Sequence, residues 1–286
     1  MSSADPCFPL ELEQLIFEMA AEDRTDLVRL LTVAKRVNIW LEPILYSILR
    51  LIRESNCQAF LHAAASKPPS FLVNNIRRLL LVPREELFPA LRMCTKTTHV
   101  LLMAAADHNT PAGESELLDI LGGMDIRCAA LRLTSLVPSG NLSELRGRHP
   151  AFLNLSHLEV LDNLRSIRHS VIPFISNLPS LTHLAFHDSM QPDDVQAILT
   201  SCQRLKCLVV LSGSNGYSRD LSSTMGAALL EKDERLVYTT FLRWDECLEQ
   251  GTRPTYWDVA DAFIEDKRNG RVADDVLYVI RTKPGA

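Results

Sequence analysis

The stretch that decides the fold is residues 178–211, LPSLTHLAFHDSMQPDDVQAILTSCQRLKCLVVL, because it contains one pattern of apolar residues twice. In each copy the apolar residues stand at positions one, four, seven and nine: Leu178, Leu181, Leu184 and Phe186, then Cys202, Leu205, Leu208 and Val210. Between the copies, residues 191–199 have an N-cap candidate in Asp193 followed by apolar residues at helical spacing, which predicts a short helix. A strand, a helix and a second strand in the same register indicate one turn of a repeating parallel α/β structure.

The pattern extends over most of the chain, with seven anchor leucines separated by 22 to 30 residues: Leu79, Leu101, Leu131, Leu158, Leu184, Leu208 and Leu236. Repeats of about 20–29 residues are typical of leucine-rich repeats, and the chain resembles an irregular protein of that family. The resemblance implies an α/β fold, a solenoid of parallel strands alternating with helices, over residues 55–242. Only Asn163 stands where the family has an Asn after the strand, so we expect irregular turns.

Residues 1–54 are predicted to form a separate helical unit, because their apolar spacing is helical and contains no repeat. The pattern predicts a helix after Pro9, a second from about Asp26 and a third over about residues 39–51, interrupted near Pro43. A small helical unit at this position would seal the first repeat of a solenoid.

The same segment resembles an F-box. Pro9, Glu11 and Leu12 match the Leu-Pro-x-Glu-Leu opening of that family, with Phe8 in place of the first Leu. The later matches are Ile16, the pair Asp26-Leu27 and the run Val33-Ala34-Lys35-Arg36. The Trp that the family has after this run is missing, and the nearest Trp is Trp40.

The resemblance implies a non-enzymatic substrate receptor of a cullin-RING (SCF-type) ubiquitin ligase. The N-terminal helices would bind the ligase adaptor protein through Phe8, Pro9, Leu12, Ile16 and Leu27, and the repeats would bind an unknown protein target. The alternative is a leucine-rich-repeat scaffold that binds a protein partner without any ligase role. In that alternative the F-box-like helices act only as a cap.

The C-terminal part, residues 243–286, is predicted to cap the last repeat, because it carries Trp244, Trp257 and an amphipathic helix at about residues 257–267. The strand residues between the apolar anchors would form a concave face, and five of the seven are apolar: Leu80, Leu102, Arg132, Glu159, Ala185, Val209 and Val237. Either the C-terminal segment covers this face, or the face is an apolar groove for a protein partner. We expect coverage at the C-terminal repeats and an open surface near Arg132 and Glu159.

The candidate partner-binding residues on the concave face are Arg132, Glu159, His183 and His187. His183 and His187 would lie roughly 13 Å apart along one strand, too far for both to ligate one metal ion. No nucleotide-binding or hydrolase motif occurs, and we therefore predict no cofactor, no metal and no catalytic site.

Charge and composition limit which classes of function and cellular location remain possible. A net charge of −5 and a pI near 5.9 give no electrostatic reason to expect nucleic-acid binding. No apolar run approaches the roughly 20 residues that span a bilayer. The first residues lack the pattern of a secretory signal, and seven cysteines without one predict reduced thiols and a cytoplasmic or nuclear location.

Overall fold

The computed structural model describes residues 8–21, 24–103, 111–137, 141–187, 190–214, 220, 222–224, 233–243, 245, 248 and 254–281. The core of this structure is one eight-stranded sheet in which every strand is parallel and neighbours in sequence are neighbours in space. This confirms the predicted α/β class, with parallel strands that alternate with helices. The strands are β1 (Ile48–Leu51), β2 (Arg78–Leu81), β3 (His99–Leu102), β4 (Cys128–Leu131), β5 (His157–Val160), β6 (His183–His187), β7 (Cys207–Ser212) and β8 (Leu236–Thr240).

The helices fall into an N-terminal group, a set that connects the strands and one C-terminal helix. The described helices are α1 (Leu10–Ala20), α2 (Arg24–Leu30), α3 (Lys35–Ser47), α4 (Glu54–Ser66), α5 (Pro69–Asn75), α6 (Phe88–Leu91), α7 (Pro111–Gly122), α8 (Leu164–Ser176), α9 (Pro192–Ser201) and α10 (Tyr256–Arg268). The connection between β4 and β5 has only short 3-10 helices in its described residues, as its Pro- and Gly-containing sequence predicts: Leu133–Leu136, Leu142–Glu144 and Pro150–Phe152.

One large apolar core lies between the sheet and the helices that connect its strands. Leu79, Leu158, Leu184, Leu208 and Leu236 point into it and are all 0% exposed. Burial of a leucine side chain contributes about 1.5–3 kcal/mol relative to exposure, so this row is a main source of stability.

The face of the sheet turned away from these helices, which we call the second face, carries the alternate strand residues. Leu80, Val209 and Val237 lie there in a second apolar cluster together with residues of α10. Because strands β2 to β8 are buried on both faces, they lack the strict apolar–polar alternation of a half-exposed strand. The chain thus covers its own second face, and the self-coverage alternative is the one that the structure shows.

Helix α10 is fixed at its start by a capping box. Thr255 and Asp258 each accept a hydrogen bond from the other's backbone N–H. After the helix, residues 277–279 run beside β8: the Tyr238 N–H donates to the Leu277 carbonyl, and the Val279 N–H donates to the Tyr238 carbonyl. The C-terminal segment therefore covers both the second face and the edge of the last strand.

The strand register differs from the predicted one in two repeats. The row that contains Leu79 and Leu158 continues through Val100 and Ala129, not through Leu101 and Leu131. Spacing could not decide the register there, because three consecutive apolar residues in each strand satisfy either choice. As a result Leu102 faces the helices, and the second-face positions belong to Leu101 and Ala130.

The N-terminal boundary also needs correction. Residues 48–51, predicted as the end of the third helix, form β1 and pair with β2, so the sheet begins inside the predicted helical unit. In β1 the buried residues alternate with partly exposed ones, a period of two that the helical interpretation overlooked. Helix α3 also continues past Pro43 instead of being interrupted there.

The link between neighbouring turns comes from Asp162, not from Asn163. The Asp162 carboxylate accepts hydrogen bonds from the backbone N–H groups of Leu133 and Thr134 in the preceding repeat, at 2.5 and 3.2 Å. Asn163 instead caps α8 by accepting from the Arg165 N–H at 3.1 Å.

Candidate protein-interaction site

The N-terminal helices α1, α2 and α3 share a small core of their own. Its buried members are Ala21, Leu27, Val37 and Leu41. The rings of Phe17 and Trp40, with centroids 6.4 Å apart, extend this core toward α1. In the described residues, four buried and six partly buried apolar side chains hold these three helices together, far fewer than in the core of the sheet.

Helix α1 turns its apolar stripe to solvent. Leu12, Leu15, Ile16 and Met19 follow the i, i+3, i+4, i+7 spacing of an amphipathic helix and are 50–65% exposed. No residue of α1 is buried. A stripe with this spacing normally faces a core, and here no described part of the chain covers it.

The exposed stripe lies in the segment of the chain that carries most of the exposed large apolar side chains, and we call this group of residues the N-terminal patch. Of the twelve large apolar side chains exposed in the described residues, ten lie within residues 8–44: Phe8, Leu10, Leu12, Leu15, Ile16, Met19, Val28, Val33, Ile39 and Ile44. The other two, Leu153 and Ile280, lie far from this segment in sequence. Clustered exposure of this kind marks a protein-binding surface more often than scattered single residues do.

The predicted adaptor-binding residues divide into two groups. Phe8, Pro9, Leu12 and Ile16 are exposed and belong to the N-terminal patch or adjoin it. Leu27 is only 4% exposed and lies in the core of the helical unit, so its assignment as a contact residue is wrong. The motif match could not distinguish these cases, because a leucine beside an Asp is compatible with either position.

Charged residues occur on the helices that carry the N-terminal patch. The guanidinium of Arg36 on α3 pairs with Glu13 of α1 at 2.6 Å and ties these two helices together. Arg24, Arg29 and Lys35 are exposed on α2 and α3, near Val28 and Val33 in sequence. Asp26 of α2 is exposed as well and pairs with Arg29 at 3.3 Å, so charges of both signs occur on these helices.

The second face holds most of the predicted partner-binding residues, but it is not open. Glu159 is 4% exposed, and its carboxylate accepts hydrogen bonds from the Tyr256 hydroxyl at 2.6 Å and from His187 Nε2 at 2.8 Å. The expectation of an open surface near Glu159 is wrong, because Tyr256 comes from α10 and covers it. A buried carboxylate needs such partners, and this one has them.

His183 lies beneath α10 as well. Its ring stacks on that of His157 at 4.1 Å between centroids, and the edge of Trp257 faces both rings. The Thr182 hydroxyl lies 3.2 Å from the Ser156 carbonyl and 2.8 Å from His183 Nδ1, which fixes the orientation of the ring. His183 Nε2 then faces the Asp261 carboxylate of α10 at 2.9 Å, which gives an ion pair when the imidazole is protonated.

The surroundings of His183 and Asp261 shift the pKa of the adjacent His157 and the pKa of Asp261 itself. Burial, aided by the adjacent His183, lowers the pKa of His157 to about 4. Burial alone would raise the pKa of Asp261, but the hydrogen bond and the charge of His183 outweigh it and hold that pKa below its ordinary value. These groups fasten α10 to the sheet; His183 is buried there, whereas the Asp261 side chain remains about half exposed.

Arg132 is exposed, but it does not share the row of Glu159. That row is occupied in β4 by Ala130, and Arg132 follows the last residue of the strand. His187 is partly exposed beside the ring of Phe241, with centroids 5.6 Å apart. The structure thus brings His187 and Glu159 together, buries His183 close by, and leaves Arg132 at the end of β4.

Sequence reasoning missed the residues of α10 that complete this network, Tyr256 and Asp261. A signal was present in the three Ser/Thr-His pairs of the sheet, at residues 98–99, 156–157 and 182–183. In each pair the hydroxyl lies 2.8–2.9 Å from its histidine's Nδ1. The repeat of this dipeptide predicts oriented imidazoles on one face, although not the residues that cover them.

Within the described ranges, no group of three or more His, Cys, Asp or Glu side chains is arranged to hold a metal ion. None of the helices in that part of the chain combines the length and apolar character needed to cross a membrane. Compared with protein-family models and with curated proteins, the chain gives no match to either.

Proposed function

We propose that this protein is a protein-interaction module that docks a partner through the N-terminal patch. The observation that carries the proposal is the complete apolar stripe of α1, which is exposed from Leu12 to Met19. Burial of two or three such side chains in an interface contributes several kcal/mol toward binding.

The partner that we propose is the adaptor of a cullin-RING ubiquitin ligase, with this protein as the substrate receptor. The Pro9-x-Glu11-Leu12 opening, which resembles an F-box, supports this choice, because its exposed members lie on the stripe or beside it. The repeats, which resemble an irregular leucine-rich-repeat solenoid, would bind the target. Because α10 covers the second face, the target would bind at another surface of the sheet domain.

A capping role for the N-terminal helices is also supported, and it is compatible with docking. Helix α3 leads directly into β1, and Lys67 at the end of α4 forms an ion pair with Glu42 of α3 at 2.5 Å. Helix α3 therefore joins the first strand, whereas α1 lies outside this junction. In the alternative, a scaffold without any ligase role, these helices would act only as a cap.

The test is binding of the purified full chain to the purified ligase adaptor, measured by calorimetry for the wild type and two variants. Leu12→Asp with Ile16→Asp should weaken binding by at least about 100-fold, because both carboxylates would enter an apolar interface. Leu153→Asp, at an exposed apolar residue outside the patch, is the matched control and should bind like the wild type. Absence of adaptor binding by the wild type would reject the ligase proposal.

A further inference from the structure

The interface between α10 and the sheet is rich in histidine. Four of the chain's eight histidines lie on the second face, at positions 99, 157, 183 and 187. Three of them form one row with a cysteine, because His99, Cys128, His157 and His183 are register partners across β3 to β6. Imidazole is the side chain whose ordinary pKa lies closest to neutral pH. The surface beneath α10 can therefore gain positive charge in mild acid.

The rings of His157 and His183 pack face to face beside Trp257 of α10. Their centroids are 4.1 Å apart and their planes differ by 4°. The plane of the Trp257 ring is nearly perpendicular to both, with its centroid 5.3 Å from that of His157 and 5.9 Å from that of His183. Two protonated imidazoles at this distance, shielded from water, would repel each other. The covered arrangement therefore favours a neutral imidazole at one of the two positions.

His157 is the ring that stays neutral. Burial is the largest cause of its lowered pKa, and the neighbouring His183 and His99 act in the same direction. Asp261 and Asp258 of α10 act in the opposite direction, but they do not outweigh burial. As a result the pKa of His157 is about 4, against an ordinary value of 6.5. Asp261 instead lies 2.9 Å from His183 Nε2, where it pairs with that ring when the ring is protonated.

A proton on His157 links the position of α10 to pH. When α10 moves away, His157 contacts water and its pKa returns toward 6.5, so the released state binds a proton more tightly than the covered state. Lowering the pH from 7.5 to 4.5 then shifts the equilibrium toward release by at most on the order of 100-fold. The pKa of Asp261 lies below its ordinary value of 3.8, so this carboxylate stays charged over that range and opposes release by pairing with His183.

We propose that α10 is an acid-released cover of the second face, detached by protonation of the histidine row while the sheet remains folded. The row lies between α10 and the sheet, whereas the larger apolar core lies on the other side of the sheet. Release would expose the apolar surface around Val209 and Val237, whose strands contact α10. The proposal goes beyond adaptor docking and does not depend on it, because the N-terminal patch lies within residues 8–44.

The test is hydrogen exchange of the full chain at pH 7.5 and 4.5, expressed as protection factors so that the pH dependence of the chemical exchange rate is removed. The protection of residues 256–268 should fall by on the order of 10-fold or more at pH 4.5, and should then be at least about 10-fold below that of β7. Unchanged protection of α10 would overturn the proposal. Equal protection of α10 and β7 at pH 4.5 would also overturn it, because α10 would then open only when the whole chain unfolds.

Matched histidine variants assign the effect. His157→Gln removes the titrating ring, so α10 should lose less protection on acidification than in the wild type. His169→Gln, at an exposed histidine of α8, is the control and should behave like the wild type. Equal losses in the two variants would overturn the proposal.

A third variant, Asp261→Asn, changes a half-exposed residue and gives a test if His157→Gln does not fold at pH 7.5. It removes the negative charge that favours protonated His157 and His183 while α10 is in place. The protection of α10 should therefore decrease at a higher pH than in the wild type. The same pH for both proteins would contradict the proposal.

Discussion

At the scale of single residues, the second face is held to α10 by polar side chains that hydrogen-bond to one another beneath that helix. Glu159 and its partners Tyr256 and His187 illustrate this, because one carboxylate satisfies a hydroxyl from α10 and an imidazole from β6. Removal of the Glu159 carboxylate takes one hydrogen-bond acceptor from the Tyr256 hydroxyl and one from His187 Nε2.

The first prediction concerns Glu159. Glu159→Ala should lower the free energy of unfolding by about 1–3 kcal/mol, because the Tyr256 hydroxyl loses its buried acceptor. Urea unfolding followed by circular dichroism measures the change. Glu11→Ala, at an exposed glutamate of α1, is the control and should change stability by less than about 0.5 kcal/mol. Similar small losses from both variants would show that the Glu159 network contributes nothing.

The second prediction concerns pH. The pKa of His157 and that of His99 are both lowered to about 4; burial is the main cause, and Arg78 and Arg127 add to it at His99. Both histidines are therefore neutral in the folded chain but bind protons below about pH 6.5 when unfolded. The free energy of unfolding should therefore be highest above pH 6.5 and should decrease as the pH falls from 6.5 toward 4. Each of the two histidines accounts for a decrease of at most about 3 kcal/mol.

This pH dependence can be assigned by substitution. Unfolding of the wild type and of His157→Gln should be compared between pH 7.5 and 4.5, a range above the lowered pKa of Asp261. The variant should be less stable at pH 7.5, because it loses the stacked ring, and should lose less stability on acidification than the wild type. Identical slopes for the two proteins would contradict the role of His157.

At the scale of elements, α1 and α10 are opposites: both are amphipathic, but only α10 buries its apolar side chains. Tyr256, Trp257, Ala260, Phe263 and Ile264 of α10 are in contact with the sheet, while α1 has no buried residue. Helical periodicity is the same in both sequences, so it indicates which residues share a face and not what that face contacts.

The third prediction compares two leucines of the N-terminal unit. Leu27→Ala should destabilise this unit by about 2–5 kcal/mol, because it opens a cavity in a core of only four buried residues. Leu12→Ala, at a half-exposed position, should change stability by less than about 1 kcal/mol. Hydrogen exchange of residues 10–47 provides the measurement, and equal effects of the two substitutions would contradict the exposed position of Leu12.

The fourth prediction concerns Trp257 of α10. Trp257→Ala should lower the free energy of unfolding by about 3–5 kcal/mol, because its ring faces the stacked His157 and His183. Ile280→Ala, at a side chain exposed near the C-terminal end, is the control. Thermal melting should show a clear decrease for Trp257→Ala and almost none for Ile280→Ala; an unchanged melting temperature of the first would mean that α10 adds no stability.

At the scale of the whole molecule, the sheet is buried on both faces and is no open groove. The fifth prediction follows: Val209→Asp should destabilise the chain by several kcal/mol, because an unpaired carboxylate would enter the apolar cluster beneath α10. Val33→Asp, at an exposed valine of the N-terminal patch, should leave the melting temperature nearly unchanged. Soluble Val209→Asp protein with wild-type melting would show that the second face is open in solution.

The repeated spacing predicted the sheet well where each strand has a clear period. Leu158, Leu184, Leu208 and Leu236 lie in one row, as their spacing requires. The spacing predicted the wrong register at Leu101 and Leu131, because a strand of consecutive apolar residues fits two registers equally well. The contact of Glu159 with Tyr256 spans 97 residues and follows from no local pattern. A single sequence therefore predicts which residues are apolar on each strand, but not which distant helix covers them.

The return of the C-terminal segment to the first strands has a consequence for how the chain folds. Asp245 pairs with Arg50 of β1, and the Leu248 carbonyl accepts a hydrogen bond from Arg78 of β2. These contacts join residues that are 195 and 170 positions apart in the sequence. An array of repeats with only nearest-neighbour contacts can form one turn at a time during synthesis. Because α10 covers the apolar second face, we expect that face to stay exposed until α10 has left the ribosome, and we expect the final folding step to be slow.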